Sequence, residues 1–318
     1  MNTDPLWAER HIRLKRCREG ALIYNINDIY GGRALDKYGE ISRGEVIFLR
    51  QLIVPGMTVV DVGANIGLLT VPFARLVGPG GKVIAFEPQR IIYQMLCGNI
   101  ALNALDNVFA YNSAAGRAAG SITVPPVNYA QAGNFGGISM GDSGPGETVP
   151  LTTIDSLGLE RCGLIKIDVE GMELDVLVGA MTTLRQFRPR LYVENDRIEK
   201  SRALIEHLLA LDYRLYWHIP WLYNPNNFFG DTENIFPNIV SYNMVGVPRT
   251  GPLSIHVEGL IEITSADANR AQARWPQASS RHSGADGSAA GSQSALVARL
   301  RGGHVGQRPA LPCSDAGR

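Results

Sequence analysis

The sharpest chemical signal in the sequence is a glycine-rich run, VVDVGANIG from Val59 to Gly67, followed 20 residues later by Glu87 in VIAFEP. A glycine turn between a strand and a helix lets backbone N–H groups and the helix N-terminus approach a ligand. Here the spacing is Gly63-x-x-x-Gly67, so Asn65 and Leu68 stand where a dinucleotide-binding G-x-G-x-x-G turn has its second and third glycines. A side chain at 65 hinders the close backbone approach that a pyrophosphate needs. A cofactor with an amino-acid carboxylate and no phosphate makes no such demand. Glu87, at a strand end, can accept hydrogen bonds from both hydroxyls of an adenosine ribose and would repel a 2′-phosphate. The pair points to an adenosine cofactor.

Further along, Asp168 and Glu170 in IKIDVEG and Glu194 in YVEND fall near the ends of later strands. They can serve as general bases, and Asp168 and Glu170 also suit the first turn of a helix beginning near Met172. His218, in YWHIPWLYNPNNFFG, is the other candidate base. Trp217, Trp221, Tyr223, Phe228 and Phe229 around it can stack on a sugar or pack in the core. A second use of the carboxylates is to gather Asp168, Glu194, Asn195 and Asp196 around Mg²⁺, a reading the sequence allows but does not favour.

These residues need elements to position them, and from Pro55 the chain alternates strand and helix in an α/β pattern. Strands are expected at 57–62, 82–88, 107–112, 164–169 and 190–195, with helices at 67–77, 91–103, 172–187 and 201–211. Two late strands, 213–219 and 238–247, have no helix between them and predict a final antiparallel pair. Residues 1–54 read as a lead-in segment containing one helix, ISRGEVIFLRQLI, and 55–250 as the main domain. The stretch 114–150 is rich in Gly, Ala and Pro, and reads as a long excursion with a few short strands. From 265 to 318 the composition turns to Ala, Ser, Gly and Arg without Lys, which predicts a disordered tail.

Composition narrows the partners. Lys+Arg and Asp+Glu are both 30, so no whole-chain charge favours nucleic acid or an anionic membrane. The four cysteines, Cys17, Cys97, Cys162 and Cys313, are scattered, which argues against a zinc site or a disulfide framework. The first residues lack a signal-peptide core, and no run approaches the roughly 20 apolar residues of a membrane span. A cytoplasmic protein is expected.

Several blocks in order, VPGMTVVDVGANIGLLT, GPGGKVIAFEPQ, NIALNALDNV, LTTIDSL, LIKIDVEGMELDVLVGA and RPRLYVEND, make residues from about Gly39 to Arg249 resemble the FkbM-type methyltransferases, a branch of the class I S-adenosylmethionine-dependent enzymes. The resemblance implies a Rossmann-like α/β fold whose seven-stranded, mostly parallel sheet has the order 3-2-1-4-5-7-6, with helices on both faces. It implies methyl transfer from S-adenosylmethionine, usually to a hydroxyl on a sugar, glycolipid or secondary metabolite. Carried over by position, Asp61, Gly63, Asn65 and Gly67 would hold the methionine and sulfonium part and Glu87 the ribose, while Asn112 and Ser113 would border the adenine. Asp168 would lie where the sheet opens toward cofactor and acceptor, with Glu194 and His218 as further candidates for catalysis. Two rivals follow: an NAD-dependent oxidoreductase, against which the GANIG turn speaks, and a non-catalytic cofactor-binding scaffold.

Overall fold

The computed structural model describes residues 10–141, 144–250 and 260–267. The expected tail therefore falls, beyond residue 267, outside the described residues.

The chain opens with a hairpin, β1 (Ile12–Cys17) and β2 (Gly20–Asn25), then α1 (Gly31–Tyr38) and α2 (Arg43–Leu49). The α/β unit runs β3 (Thr58–Val62), α3 (Thr70–Val77), β4 (Lys82–Phe86), α4 (Arg90–Leu102) and β5 (Val108–Tyr111). The excursion holds β6 (Ala114–Ala115), β7 (Gly120–Val124) and β8 (Glu147–Thr152), which form a small sheet of their own. Then follow β9 (Leu164–Ile167), α5 (Glu173–Val178), α6 (Met181–Phe187), β10 (Arg190–Glu194), α7 (Ile198–Ala210), β11 (Tyr213–His218), β12 (Asn243–Pro248) and β13 (Ile261–Ile263).

The central sheet has eight strands in the order β13-β11-β12-β10-β9-β3-β4-β5, which corrects the expected seven-stranded order. The difference is β13, which pairs antiparallel with β11 and moves the sheet edge outward by one strand. Three residues, Ile261–Ile263, are too short a run to read as a strand from pattern alone. The pairs from β5 through β10 are parallel, whereas β12 runs antiparallel to both β10 and β11.

Alternation along each strand divides the core. Val59, Val83, Leu164 and Tyr192 pack with Phe48, Leu49, Phe73 and Val77 on the α2–α3 face. Val60, Val62, Ile165, Ile167 and Val193 pack with Val176, Leu184, Leu204 and Leu208 on the α5–α7 face. Each such side chain contributes about 1.5–3 kcal/mol on burial, so the two apolar layers hold the strand ends firmly in rank. The single helix expected over 172–187 is two. At Gly179 a Cβ would stand 2.0 Å from the Gly116 carbonyl, and this close crossing of chains breaks the helix there. The Asp155 carboxylate then accepts the free N–H groups of Thr182 and Thr183, each at 2.8 Å, and starts α6.

The N-terminal hairpin is tied to α4 through two asparagine side chains. Asn99 accepts from the Ile23 N–H at 2.6 Å and donates to the Ile23 and Ile66 carbonyls, and Asn103 donates to the Ala21 carbonyl. One of those bonds reaches Ile66, inside the glycine-rich turn, so the hairpin supports that turn.

Candidate functional site

The turn after β3 is built on backbone that few residues adopt. Gly63 has φ +77°, and a Cβ there would stand 1.8 Å from the Asp168 carbonyl oxygen; the N–H groups of Gly63 and Ala64 both reach the Phe86 carbonyl. Asn65 itself sits in the left-handed region at φ +51°, a conformation asparagine tolerates, and its Oδ1 accepts from the Ile66 N–H at 2.7 Å. That geometry aims the Asn65 N–H at Glu87, whose Oε2 accepts it at 2.9 Å. Glu87 Oε1 accepts from the Gln89 N–H at 2.9 Å. The buried Glu87 carboxyl is pushed up to about 7 by burial, against the pull of these two N–H donors.

Glu87, Gly63, Ser113, Ile138, Met172 and Asp168 line one cleft at the carboxyl ends of β3, β4 and β9. Asn112 fixes the rim beside Glu87, its Nδ2 donating to the Glu87 and Pro88 carbonyls, both at 2.9 Å. Gly67, at φ +94°, lies at the far end of the turn, where a Cβ would stand 2.9 Å from Leu96. Asp61 has no exposed surface; its Oδ2 accepts from Thr70 Oγ1 at 2.6 Å and its Oδ1 lies 3.3 Å from Lys166 Nζ. Its carboxylate acts within the turn rather than on the cleft wall.

At the neighbouring strand ends, oxygens of Asp168, Glu170 and Glu194 lie within 4.8 Å of one another. Glu170 is paired with Arg197; burial and the Asp168 charge push its carboxyl up to about 7. Burial and the Asp168 charge raise the Glu194 carboxyl well above the usual carboxylate range. Asn195 Nδ2 donates to the Met244 sulfur at 3.1 Å, and Asp196 Oδ1 lies 3.5 Å from Arg197 Nε. His218 is placed away from the cleft lining. Its Nδ1 is 2.9 Å from the Tyr192 hydroxyl, its ring stacks on Phe48 with centroids 4.4 Å apart, and burial lowers its pKa to about 3. A neutral, enclosed imidazole of this kind is a poor proton acceptor.

Two contributors escape sequence reasoning. Lys166, 5 % exposed, donates to the Gly63 carbonyl at 2.7 Å and lies 3.6 Å from Asp168 Oδ2. Burial opposes its charge, but Asp61 and Asp168 outweigh that and hold the ammonium above its usual pKa. The one signal was a lone cation inside the otherwise apolar LIKI. The second contributor is the segment around Tyr129–Phe135. The Phe135 carbonyl accepts from Gln89 Nε2 at 2.7 Å, and Tyr129 Oη donates to Gln89 Oε1 at 3.0 Å. Asn25 and Asn27 donate to the Tyr129 carbonyl, clamping this segment between the hairpin and the Glu87 end of the cleft.

Among the described residues, no helix is long and apolar enough to cross a membrane. Comparison with known proteins gives the family. The profile of the Methyltransferase FkbM domain matches residues 61–215. The chain is 32% identical over 184 residues to Methyltransferase sdnD of Sordaria araneosa, covering 48% of this chain and 71% of that one. It is 29% identical over 210 residues to the AMB antimetabolite synthetase AmbE of Pseudomonas aeruginosa, covering 52% of this chain but only 10% of the synthetase. A solved methyltransferase FkbM from Methylobacillus flagellatus KT aligns at 18% identity and a TM-score of 0.42, over 60% of this chain and 43% of that one. With a glycine turn, a buried acceptor carboxylate and a family match over the same residues, the chain belongs to the FkbM-type methyltransferases.

Proposed function

We propose that the chain transfers the methyl group of S-adenosylmethionine to a hydroxyl of a sugar, glycolipid or secondary-metabolite acceptor. The observation that carries this reading is Glu87, held by the Asn65 and Gln89 N–H groups with its carboxylate on the cleft wall. The residues present suit the cofactor: a carboxylate for the ribose hydroxyls, apolar Phe86, Ile138 and Met140 for a base, and a Gly63–Gly67 turn for the methionine end. When bound, S-adenosylmethionine supplies a methyl already activated on a sulfonium. The protein's task is then to align the acceptor, exclude water and take up the hydroxyl proton.

Asp168 is the residue we assign to that proton. It lines the cleft, it lies beside the turn, and its side chain is 40% exposed and so reachable by an acceptor. Glu194 sits beside it as its neighbour; His218 faces Tyr192 and Phe48 and takes no part. The match to one segment of an antimetabolite synthetase favours a secondary-metabolite acceptor over the other classes. Calorimetric titration with S-adenosylmethionine, S-adenosylhomocysteine and NADH tests the cofactor. Saturable binding of the two sulfur nucleosides that weakens in Glu87→Ala supports the proposal. Binding of NADH alone makes the protein an oxidoreductase. Binding with no turnover on any hydroxylated acceptor, and indifference to Asp168→Ala, makes it a scaffold.

A further inference from the structure

Lys166 lies in the middle of the central sheet, on the strand between the glycine turn and the acidic strand ends, and no expectation assigned it a role. Three oxygens surround its ammonium: the Gly63 carbonyl at 2.7 Å, Asp61 Oδ1 at 3.3 Å and Asp168 Oδ2 at 3.6 Å. Each belongs to a different part of the site. Gly63 is the first residue of the turn, Asp61 is anchored through Thr70 to the start of α3, and Asp168 lies on the cleft wall.

A buried ion pair is a weak source of stability: apolar residues of similar volume at both 166 and 61 would pack without the desolvation penalty, whereas removing Lys166 alone would strand the fully buried Asp61 charge. The sheet register shows why the position matters. Lys166 is opposite Asp61 on β3 and opposite Tyr192 on β10, so its side chain rises on the same face as Asp61. From there it reaches two residues further along, to the rank of Gly63 and Asp168. It thus spans from the buried rank to the rank that lines the cleft.

Resting on the methyl-transfer reading above, we infer that Lys166 is the positioning residue of the site: its ammonium joins the carbonyl of the cofactor turn to the carboxylate that takes the acceptor proton. Both then keep one fixed separation whether or not ligands are bound. An ammonium suits this work because one N–H donates to the Gly63 carbonyl while its charge attracts both carboxylates.

Nitrogen-resolved NMR of lysine side chains tests the link in the intact protein, where only Lys15, Lys37, Lys82, Lys166 and Lys200 contribute. The Lys166 ammonium should give a resonance protected from exchange. Asp168→Asn, a change at a half-exposed side chain, should shift that resonance and speed its exchange while leaving the other four in place. An unmoved Lys166 resonance overturns the inference. The paired variant Asp61→Asn/Lys166→Met removes both buried charges together, so the fold keeps its charge balance. It should lose about a hundredfold in kcat, because misplacement by about 1 Å costs that much. The methyl donor's Kd should rise about tenfold, the weight of one hydrogen bond to a charged group. Asp61→Asn alone leaves the links to Gly63 and Asp168 and should lose less than tenfold in kcat. Wild-type kcat and Kd in the paired variant also overturn the inference. If the wild-type protein binds no S-adenosylmethionine, the methyl-transfer reading fails, and the NMR shift still reports whether the link exists.

Discussion

The state of Glu87 should set how tightly the methyl donor binds as pH changes. In the free protein this carboxyl is pushed up to about 7 because its burial at the tip of β4 outweighs the two N–H donors and the Lys166 charge that stabilise its ionised form. Two ribose hydroxyls donating to it favour the ionised form, so binding selects Glu87 without its proton. The apparent Kd then scales with the fraction of protein that must first give up a proton. With a pKa of about 7, affinity is near its limit at pH 8 and about tenfold weaker at pH 6, a difference of ~1.4 kcal/mol. Calorimetry with S-adenosylmethionine across pH 6–8.5 reads this slope, and repetition in buffers of different ionisation enthalpy reads the released proton. Glu87→Gln keeps the shape and removes the titration. It should bind more weakly at pH 8 and lose the wild-type slope; titration of the ligand itself is common to both proteins and cancels. A wild-type affinity no more pH-dependent than that of Glu87→Gln would refute the reasoning.

Four other outcomes are expected. Gly63→Ala places a Cβ 1.8 Å from the Asp168 carbonyl at φ +77°, so it should lower Tm by several degrees, a cost of ~3 kcal/mol or more, read by calorimetric melting. Asp168→Asn should retain donor affinity within about threefold while kcat falls at least about a hundredfold, measured under single-turnover conditions. His218 has its folded pKa lowered to about 3 from an ordinary 6.5, so the unfolded chain takes up its proton first and stability is lost as pH falls below 6.5. This amounts to ~2 kcal/mol at pH 5, and His218→Phe should flatten that part of the denaturation profile. Tyr129→Phe deletes the bond to Gln89 Oε1 and should weaken donor binding by about fivefold, the worth of ~1 kcal/mol, without changing the pH slope.

The parts of the fold legible in the sequence were those specified by local pattern. TVVDV and LIKI are buried on both faces, and that is why they read as continuous apolar strands. The turn was legible because its chemistry is local too: Gly63 and Asn65 have left-handed backbone, and glycine and asparagine are the residues that tolerate it. What stayed hidden depends on contacts between distant segments. The break at Gly179 exists because Gly116 crosses there, 63 positions earlier in the chain. The role of Gln89 depends on Tyr129 and Phe135, whose own anchor is the hairpin at Asn25 and Asn27.

His218 and Lys166 show how burial decides between residues that sequence ranks the other way. Histidine at a strand end invites a catalytic role, yet enclosure by Phe48 and Tyr192 leaves it neutral and engaged. Lysine within an apolar strand reads as an anomaly, yet parallel register sets it beside Asp61 and two residues below Gly63 and Asp168, where its charge is matched. A buried charge is tolerated only where its partners are fixed by the fold, so partners and charge specify one another. For this protein that mutual dependence runs through β3 and β9. The two strands that carry the glycine turn and Asp168 are therefore joined by an ion pair as well as by backbone hydrogen bonds, and a change in either should be felt in both.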